Sequence, residues 1–168
     1  MTTQPEQSEP DEDDDLDVPG DDPNIPGDDI LYRRLSYNDG AWVVEDPASR
    51  ERRPSSGGFS HDTDGVSVFR RSLLLEHDPP LNASDVGMTP EDIIVGFNVA
   101  DVRSLQLGVR NDLWPKDVID PEHPRYCAHA LITGLGQLGK SARIKTQKKL
   151  ASLPSMKFLD EDTDRERQ

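Results

Sequence analysis

The sequence predicts an α+β fold: one domain with a small mixed or antiparallel sheet and two or three helices, preceded by a disordered acidic arm. Three observations support this prediction: charge is segregated along the chain, several short segments have the apolar patterns of strands, and two segments carry helix signals. A chain of 168 residues has the length of one ordinary domain. We therefore divide it into an arm (residues 1–29), a domain ending in a basic helix (residues 30–158) and a charged, disordered tail (residues 159–168).

The arm is predicted from its charge and its prolines. Residues 1–29 contain twelve Asp or Glu residues and no Lys or Arg. The carboxylates repel one another, and Pro19, Pro23 and Pro26 cannot donate backbone hydrogen bonds. We expect this segment to be extended and unfolded.

The first half of the domain is predicted to be mainly strand and loop. Residues 30–35 are rich in apolar side chains and predict a first strand, and the Asn-Asp-Gly turn signal at residues 38–40 predicts a hairpin with a second strand at residues 41–45. Residues 46–64, rich in Arg, Ser and Gly, predict a long loop. Residues 66–69 alternate between apolar and polar side chains and predict a third strand.

The second half is predicted to contain two helices and two strands. Thr89, followed by Pro and two acids, has the signals of a helix start, and we expect that helix to reach about Phe97. Residues 107–109 predict a strand, and the apolar run at residues 126–133 predicts a central strand. Residues 141–153 predict the last helix.

A glycine-rich segment between the last strand and the last helix matches a phosphate-binding pattern. Residues 134–141 (Gly-Leu-Gly-Gln-Leu-Gly-Lys-Ser) have the spacing of the phosphate loop of nucleotide triphosphatases, in which Lys140 would neutralise phosphate and Ser141 would bind magnesium. Only 27 residues follow Ser141, too few for the later strands that such an enzyme needs. We interpret the segment as an ordinary turn, with a simple anion site at Gly139, Lys140 and Ser141 as the alternative.

Arginine and serine residues of the first strand and the long loop form a second candidate ligand site. The set comprises Arg33, Arg52, Arg53, Ser55 and Ser56. It resembles ADP-ribosyltransferase-like folds, which hold NAD through an arginine near the N-terminus and a serine on a later strand. That resemblance implies a catalytic glutamate late in the chain, where only Glu122 lies between Glu91 and the tail. The alternative is that the arginines pair with carboxylates of the chain.

The last helix carries the one clear basic patch. Residues 140–158 contain six Lys or Arg residues and no Asp or Glu. At helical spacing Lys145, Lys148 and Lys149 share a face, which predicts salt-dependent contact with phosphates. A solvated helix face is one alternative, and the acidic arm folding back over the patch is another.

No pattern predicts a metal or a cofactor. His61 with Asp64, and His77 with Asp78, lack the spacing of metal ligands, and we interpret His129 as a hydrogen-bonded core residue of its apolar strand. The single Cys127 cannot form an intramolecular disulfide.

The chain lacks the sequence signals of secretion and of membrane insertion. Its first residues do not have the basic and then apolar pattern of a secretory signal, and no run approaches the roughly 18 consecutive apolar residues that cross a bilayer. We expect a cytoplasmic protein without membrane contact.

Four segments together resemble a group of small, uncharacterised bacterial proteins. They are residues 31–34 (Leu-Tyr-Arg-Arg), 54–59 (Pro-Ser-Ser-Gly-Gly-Phe), 67–70 (Ser-Val-Phe-Arg) and 129–134 (His-Ala-Leu-Ile-Thr-Gly). The resemblance covers most of residues 30–153. It implies a folded domain and no particular chemistry, because no activity is assigned to that group.

The charge segregation favours a non-enzymatic interaction module. Its basic helix and its Arg/Ser-rich loop would bind a protein or nucleic-acid partner, and the acidic arm would modulate that contact. The alternative is a small enzyme or a phosphate or nucleotide binder that uses the ADP-ribosyltransferase-like or phosphate-loop-like residues.

Overall fold

Eight strands and four helices make up the described part of the chain. A computed structural model describes residues 18, 20–36, 42–61, 64–115, 117 and 123–159. The strands are β1 (Ile30–Leu35), β2 (Val43–Glu45), β3 (Arg52–Pro54), β4 (Val66–Arg70), β5 (Ile93–Asn98), β6 (Gly108–Asn111), β7 (His129–Thr133) and β8 (Lys157–Phe158). The helices are α1 (Arg71–Glu76), α2 (Val99–Arg103), α3 (Pro124–Cys127) and α4 (Lys140–Leu150), and short 3-10 turns span Ser56–Phe59, Ala83–Val86 and Leu135–Gln137.

A six-stranded antiparallel sheet, in the order β6-β7-β4-β1-β5-β8, organises these elements. The predicted α+β class with a small antiparallel sheet is thereby confirmed. Side chains alternate between the two faces of a strand, so Leu31 and Leu35 enter the larger apolar core while Tyr32 enters a smaller one on the opposite face. The larger core also contains Leu150 of α4, and the smaller one contains Leu74 of α1.

The first strand is confirmed with its predicted bounds, but the predicted hairpin is wrong. β1 lies between β4 and β5, whereas β2 pairs with β3 in a separate two-stranded sheet. Leu31 and Tyr32 point to opposite faces of β1 and are both buried, so β1 suits the interior of the sheet, whereas β2 has the exposed side chains of Val44 and Glu45. The predicted turn at residues 38–40 lies outside the described residues.

The helix predicted to start at Thr89 is also wrong. The Asp92 carboxylate accepts hydrogen bonds from the amides of Met88 (2.9 Å) and Thr89 (3.1 Å), which closes a turn rather than a helix. The chain then enters β5, which pairs with β1 along its full length. The β-branched residues at its start suit a buried strand, and pairing in the sheet outweighs the local capping signals.

The predicted strand at residues 126–133 is confirmed only in its second part. Residues 124–127 form the short helix α3, which has Pro124 in its first turn, where the missing amide hydrogen costs nothing. β7 then lies in the interior of the sheet between β6 and β4, with every residue buried. The predicted last helix is confirmed as α4, although it ends at Leu150 rather than at residue 153.

The domain begins before residue 30, so the predicted arm is too long at its C-terminal end. Ile25 is 1% exposed, and the Asp21 carboxylate accepts hydrogen bonds from Arg103 Nε (3.1 Å) and from the Val109 amide (2.8 Å). Hydrogen bonds from an arginine and from a backbone amide therefore stabilise a carboxylate of this segment inside the domain. The prediction from composition considered only the repulsion among the carboxylates. Residues 1–17 of the arm, and residues 160–168 of the tail, lie outside the described residues.

None of the helices in the described ranges has the length and apolar character needed to cross a bilayer.

Candidate active site

Ser67, His129 and Asp112 come together on one face of the sheet. Ser67 lies on β4 and His129 on the adjacent strand β7, while Asp112 directly follows β6 on the other side of β7. Ser67 Oγ lies 2.6 Å from His129 Nε2, and His129 Nδ1 lies 3.0 Å from Asp112 Oδ2. The two ring nitrogens of one histidine thus connect a hydroxyl to a carboxylate.

The neighbours of His129 determine which ring nitrogen carries the proton. Nδ1 faces two acceptors, the carboxylate oxygen and the backbone carbonyl oxygen of Asp112, each at 3.0 Å. Neither oxygen can donate, so Nδ1 holds the proton and donates it to Asp112. Nε2 therefore presents a lone pair and accepts the hydrogen bond of the Ser67 hydroxyl. This is the arrangement in which a histidine can act as general base toward a serine.

Burial keeps the imidazole neutral. Desolvation lowers the pKa of His129, because the charged form loses its hydration inside the sheet, and the positive charge of Arg125 acts in the same direction. Hydrogen bonding and charge attraction from Asp112 oppose that effect without reversing it. The base is therefore in its proton-accepting form at neutral pH.

Aromatic side chains fix the orientation of the His129 ring. Phe69 packs edge-on at 5.5 Å between ring centroids, and Trp114 packs edge-on at 6.3 Å. Arg125 lies 5.1 Å from the centroid of the Trp114 ring, which adds a cation-π contact to this wall. The ring can consequently hold its two hydrogen bonds without large rotation.

A cavity of about 60 Å³ lies beside Ser67. Its polar wall includes Arg34, Arg125 and His123, and its apolar wall is formed by Phe69, Val86 and Met88. The guanidinium groups offer hydrogen-bond donors next to the hydroxyl. A small acyl group could therefore enter beside the nucleophile, with donors available for a developing negative charge.

Of the arginines and serines predicted as a ligand site, only Arg33 is among the residues that line the cavity beside Ser67. Arg33 donates to the Gly58 carbonyl (2.9 Å) and to the Ser67 carbonyl (2.8 Å), so it joins β1 to the turn at Ser56–Phe59 and to β4. Arg52 lies over the ring of Phe158 at 4.9 Å, and Arg53 is exposed on β3. Ser55 and Ser56 are half-buried at the start of that turn.

The glycine-rich segment at residues 134–141 forms a turn and a helix start. The amides of Gln137 and Leu138 donate to the carbonyls of Gly134 and Leu135, so they are unavailable to a phosphate. Gly134, Gly136 and Gln137 border a cleft of about 440 Å³, whereas Gly139, Lys140 and Ser141 do not. The turn interpretation is favoured by this geometry.

The lysine side chains of α4 are exposed. Lys140, Lys145, Lys148 and Lys149 all face solvent, and no carboxylate of the described ranges forms an ion pair with any of them. Gln147 on another side of the helix donates to the Phe59 carbonyl at 3.1 Å, which anchors α4 on the domain. The positive face is thus held outward.

Neither Ser67 nor Asp112 was predicted as a site residue. Ser67 lies 62 residues from His129, and Asp112 lies 17 residues from it, so no local motif joins them. The available signal was a histidine within an apolar strand, which we interpreted as a core residue. Within the described part of the chain, no group of three His, Cys, Asp or Glu side chains could hold a metal ion.

Comparisons with protein-family models, with curated proteins and with solved structures gave no match. We therefore infer a function from the geometry of the site.

Proposed function

We propose that this protein is a small serine hydrolase that cleaves esters or thioesters. Ser67 is the nucleophile, His129 is the general base, and Asp112 orients the imidazole. The observation that supports this proposal is the pair of hydrogen bonds on opposite nitrogens of His129, to Ser67 Oγ at 2.6 Å and to Asp112 Oδ2 at 3.0 Å. It favours the enzyme among the two functions that the sequence left open.

The reaction follows from these positions. His129 Nε2 takes the proton of Ser67 as Oγ attacks the carbonyl carbon, and the bond from that carbon to the leaving oxygen or sulfur breaks. The leaving alcohol or thiol departs with the proton from His129. Water then loses a proton to His129 and attacks the acyl-serine, which releases the acid and returns the proton to Ser67.

A fluorophosphonate probe tests this proposal directly, because it reacts with an activated serine and leaves a stable adduct. We expect the wild-type chain to gain one phosphonyl group, mapped by peptide mass spectrometry to Ser67. Ser67→Ala should gain none, whereas Ser104→Ala, which removes an exposed serine elsewhere, should react like the wild type. Equal labelling of the Ser67→Ala variant, or none of the wild type, would contradict the proposal.

The labelling rate should fall at acidic pH, and the lowered pKa of His129 should shift that fall below the ordinary range of histidine. The ordinary pKa of histidine is about 6.5, and that of His129 lies lower. The imidazole should therefore remain neutral down to about pH 6.5, and the labelling rate should fall only below that pH. As the unfolded chain takes up this proton first, stability should also decline below about pH 6.5. Rate constants from pH 5 to pH 8, with unfolding measured in parallel, check this. A rate that still rises above neutral pH would show a different base.

A second candidate function is docking of an acidic protein partner on the basic face of α4. The exposed lysines of that helix support it, because a charge cluster without internal partners raises the association rate with a complementary surface. An acidic protein is favoured over single-stranded nucleic acid because Phe158, the aromatic nearest this patch in sequence, is covered by Arg52 and cannot stack on bases. The acidic arm would act as an internal competitor.

Fluorescence anisotropy with labelled oligoglutamate and a labelled single-stranded oligonucleotide tests the docking proposal. We expect salt-sensitive binding of oligoglutamate that is lost in the Lys145→Glu, Lys148→Glu, Lys149→Glu triple variant. Preference for the oligonucleotide would assign the helix to nucleic acid instead. Equal binding by the triple variant and the wild type would exclude α4 as the docking face.

A further inference from the structure

The cavity beside Ser67 has a positive wall. Arg33, Arg34 and Arg125 line it, and none of the described residues around it is acidic. Its volume of about 60 Å³ is about twice the share of one water in the liquid, which is enough for the carboxylate end of a short acyl chain. A short group that carries a negative charge fits this cavity better than a neutral one.

Arg34 is held in place by an acid that does not itself enter the cavity. Its Nη1 lies 3.3 Å from Asp92 Oδ2, and the Asp92 side chain is 1% exposed. Tyr32 of β1 pairs with Phe69 of the antiparallel strand β4. Arg34 and Ser67 each lie two residues from this pair in the same direction, so their side chains are on the same face of adjacent strands. The remaining guanidinium donors of Arg34 are therefore close to the nucleophile and suit the oxygen of the scissile carbonyl.

Arg125 supplies a further positive charge without a compensating acid. It is held at 5.1 Å from the Trp114 ring centroid, and its carbonyl accepts a hydrogen bond from the Trp114 amide at 3.2 Å. No carboxylate within the described ranges forms an ion pair with it. Arg125 lies on α3, just before the strand that bears His129, whereas Arg34 lies on β1. The two charges therefore come from different elements of the cavity wall.

We infer that the Ser67 site prefers monoesters of short dicarboxylic acids, with the free carboxylate of the acyl chain held by Arg125. This inference rests on the proposed hydrolase function. The acyl carbon transfers to Ser67 Oγ and the alcohol leaves with a proton. Water then releases the dicarboxylic acid. The apolar wall of Phe69, Val86 and Met88 contacts the methylene groups between the two carbonyl carbons.

A pair of chromogenic esters tests the preference. Both p-nitrophenyl hemisuccinate and p-nitrophenyl butyrate carry a four-carbon acyl chain, and they differ in a carboxylate against a methyl group at its end. We expect kcat/KM for the hemisuccinate to exceed that for the butyrate about tenfold or more, the size of one charge-assisted contact. Arg125→Gln should reduce this ratio to about one by lowering kcat/KM for the hemisuccinate more than for the butyrate, and Arg50→Gln, at an exposed arginine, should preserve the ratio.

The outcomes separate the two proposals. If Ser67-dependent hydrolysis shows no preference for the hemisuccinate, or if Arg125→Gln leaves the ratio unchanged, the substrate inference is wrong and the hydrolase stands. If neither ester is hydrolysed, or Ser67→Ala hydrolyses both as fast as the wild type, the hydrolase proposal is wrong and the inference with it.

Discussion

Replacing His129 by glutamine is expected to lower the rate of Ser67-dependent ester hydrolysis about 10⁴-fold. Glutamine has a similar length and can still donate to the Ser67 oxygen, but it cannot take a proton from Oγ at any relevant pH. The loss should appear in kcat rather than in KM, because the imidazole does not line the cavity that receives the acyl group. Steady-state kinetics with p-nitrophenyl butyrate measures both constants.

The control for this variant is His77→Gln. His77 lies at the end of α1, where its Nδ1 contacts the Pro79 carbonyl at 3.0 Å, and it takes no part in the site. It should retain wild-type kcat. Thermal unfolding of the His129→Gln variant separates a catalytic loss from misfolding. A folded His129→Gln protein with undiminished kcat would contradict the assignment of His129 as the base.

Asp112→Asn should have a smaller effect than the loss of His129. The backbone carbonyl of residue 112 also accepts the Nδ1 hydrogen, so the proton position survives even when the carboxylate is replaced by an amide. What is lost is the negative charge that stabilises the imidazolium as the proton arrives. The side chain of Asp112 is 41% exposed, so water screens part of that charge. The same assay ranks the two variants, and an equal loss in both would show that the carbonyl does not hold the ring.

Replacing Arg70 by methionine is expected to reduce the free energy of unfolding by about 3–5 kcal/mol. Arg70 Nε lies 2.7 Å from Asp29 Oδ2, and the two side chains are only 10% and 5% exposed. The same guanidinium donates to Asn111 Oδ1 (2.9 Å) and to Ser72 Oγ (3.2 Å). Its removal leaves the Asp29 carboxylate buried without its counter-charge, and urea denaturation measures the cost.

An exposed ion pair provides the matched control. Arg50 Nη1 and Glu45 Oε1 are 2.9 Å apart, but these side chains are 81% and 47% exposed. Glu45→Gln should therefore cost less than about 1 kcal/mol. The double variant Arg70→Met, Asp29→Asn should recover part of the loss, because the remaining group is no longer charged. Similar losses for Arg70→Met and Glu45→Gln would refute the importance of burial here.

Local patterns predicted those elements whose residues decide their own conformation. The first strand was predicted with its observed bounds, because its apolar side chains occupy both faces of a buried strand. α4 was predicted from residues with good helix propensity. At residues 89–97 local capping residues suggested a helix. Pairing of β5 with β1 stabilises the strand more than those capping signals stabilise a helix.

The candidate site was not predictable from the sequence in the same way. Ser67, Asp112 and His129 come from the inner strand β4, the loop after β6, and β7, and only the order β6-β7-β4 makes them neighbours. A shift of one residue in the register of β7 would turn His129 to the opposite face and break both hydrogen bonds. That register depends on packing across the whole sheet.

Composition and contacts between near neighbours in the chain were enough to predict the α+β class, the segregation of charge, the first strand and the basic last helix. The start of the domain and the meeting of its polar groups depend instead on contacts between distant segments. Asp21 and Asp29 belong to the folded domain because Arg103 and Arg70, which lie far away in the sequence, donate hydrogen bonds to their carboxylates. Strand order similarly brings a hydroxyl, an imidazole and a carboxylate into one line, because pairing between distant segments fixes positions that no local pattern encodes.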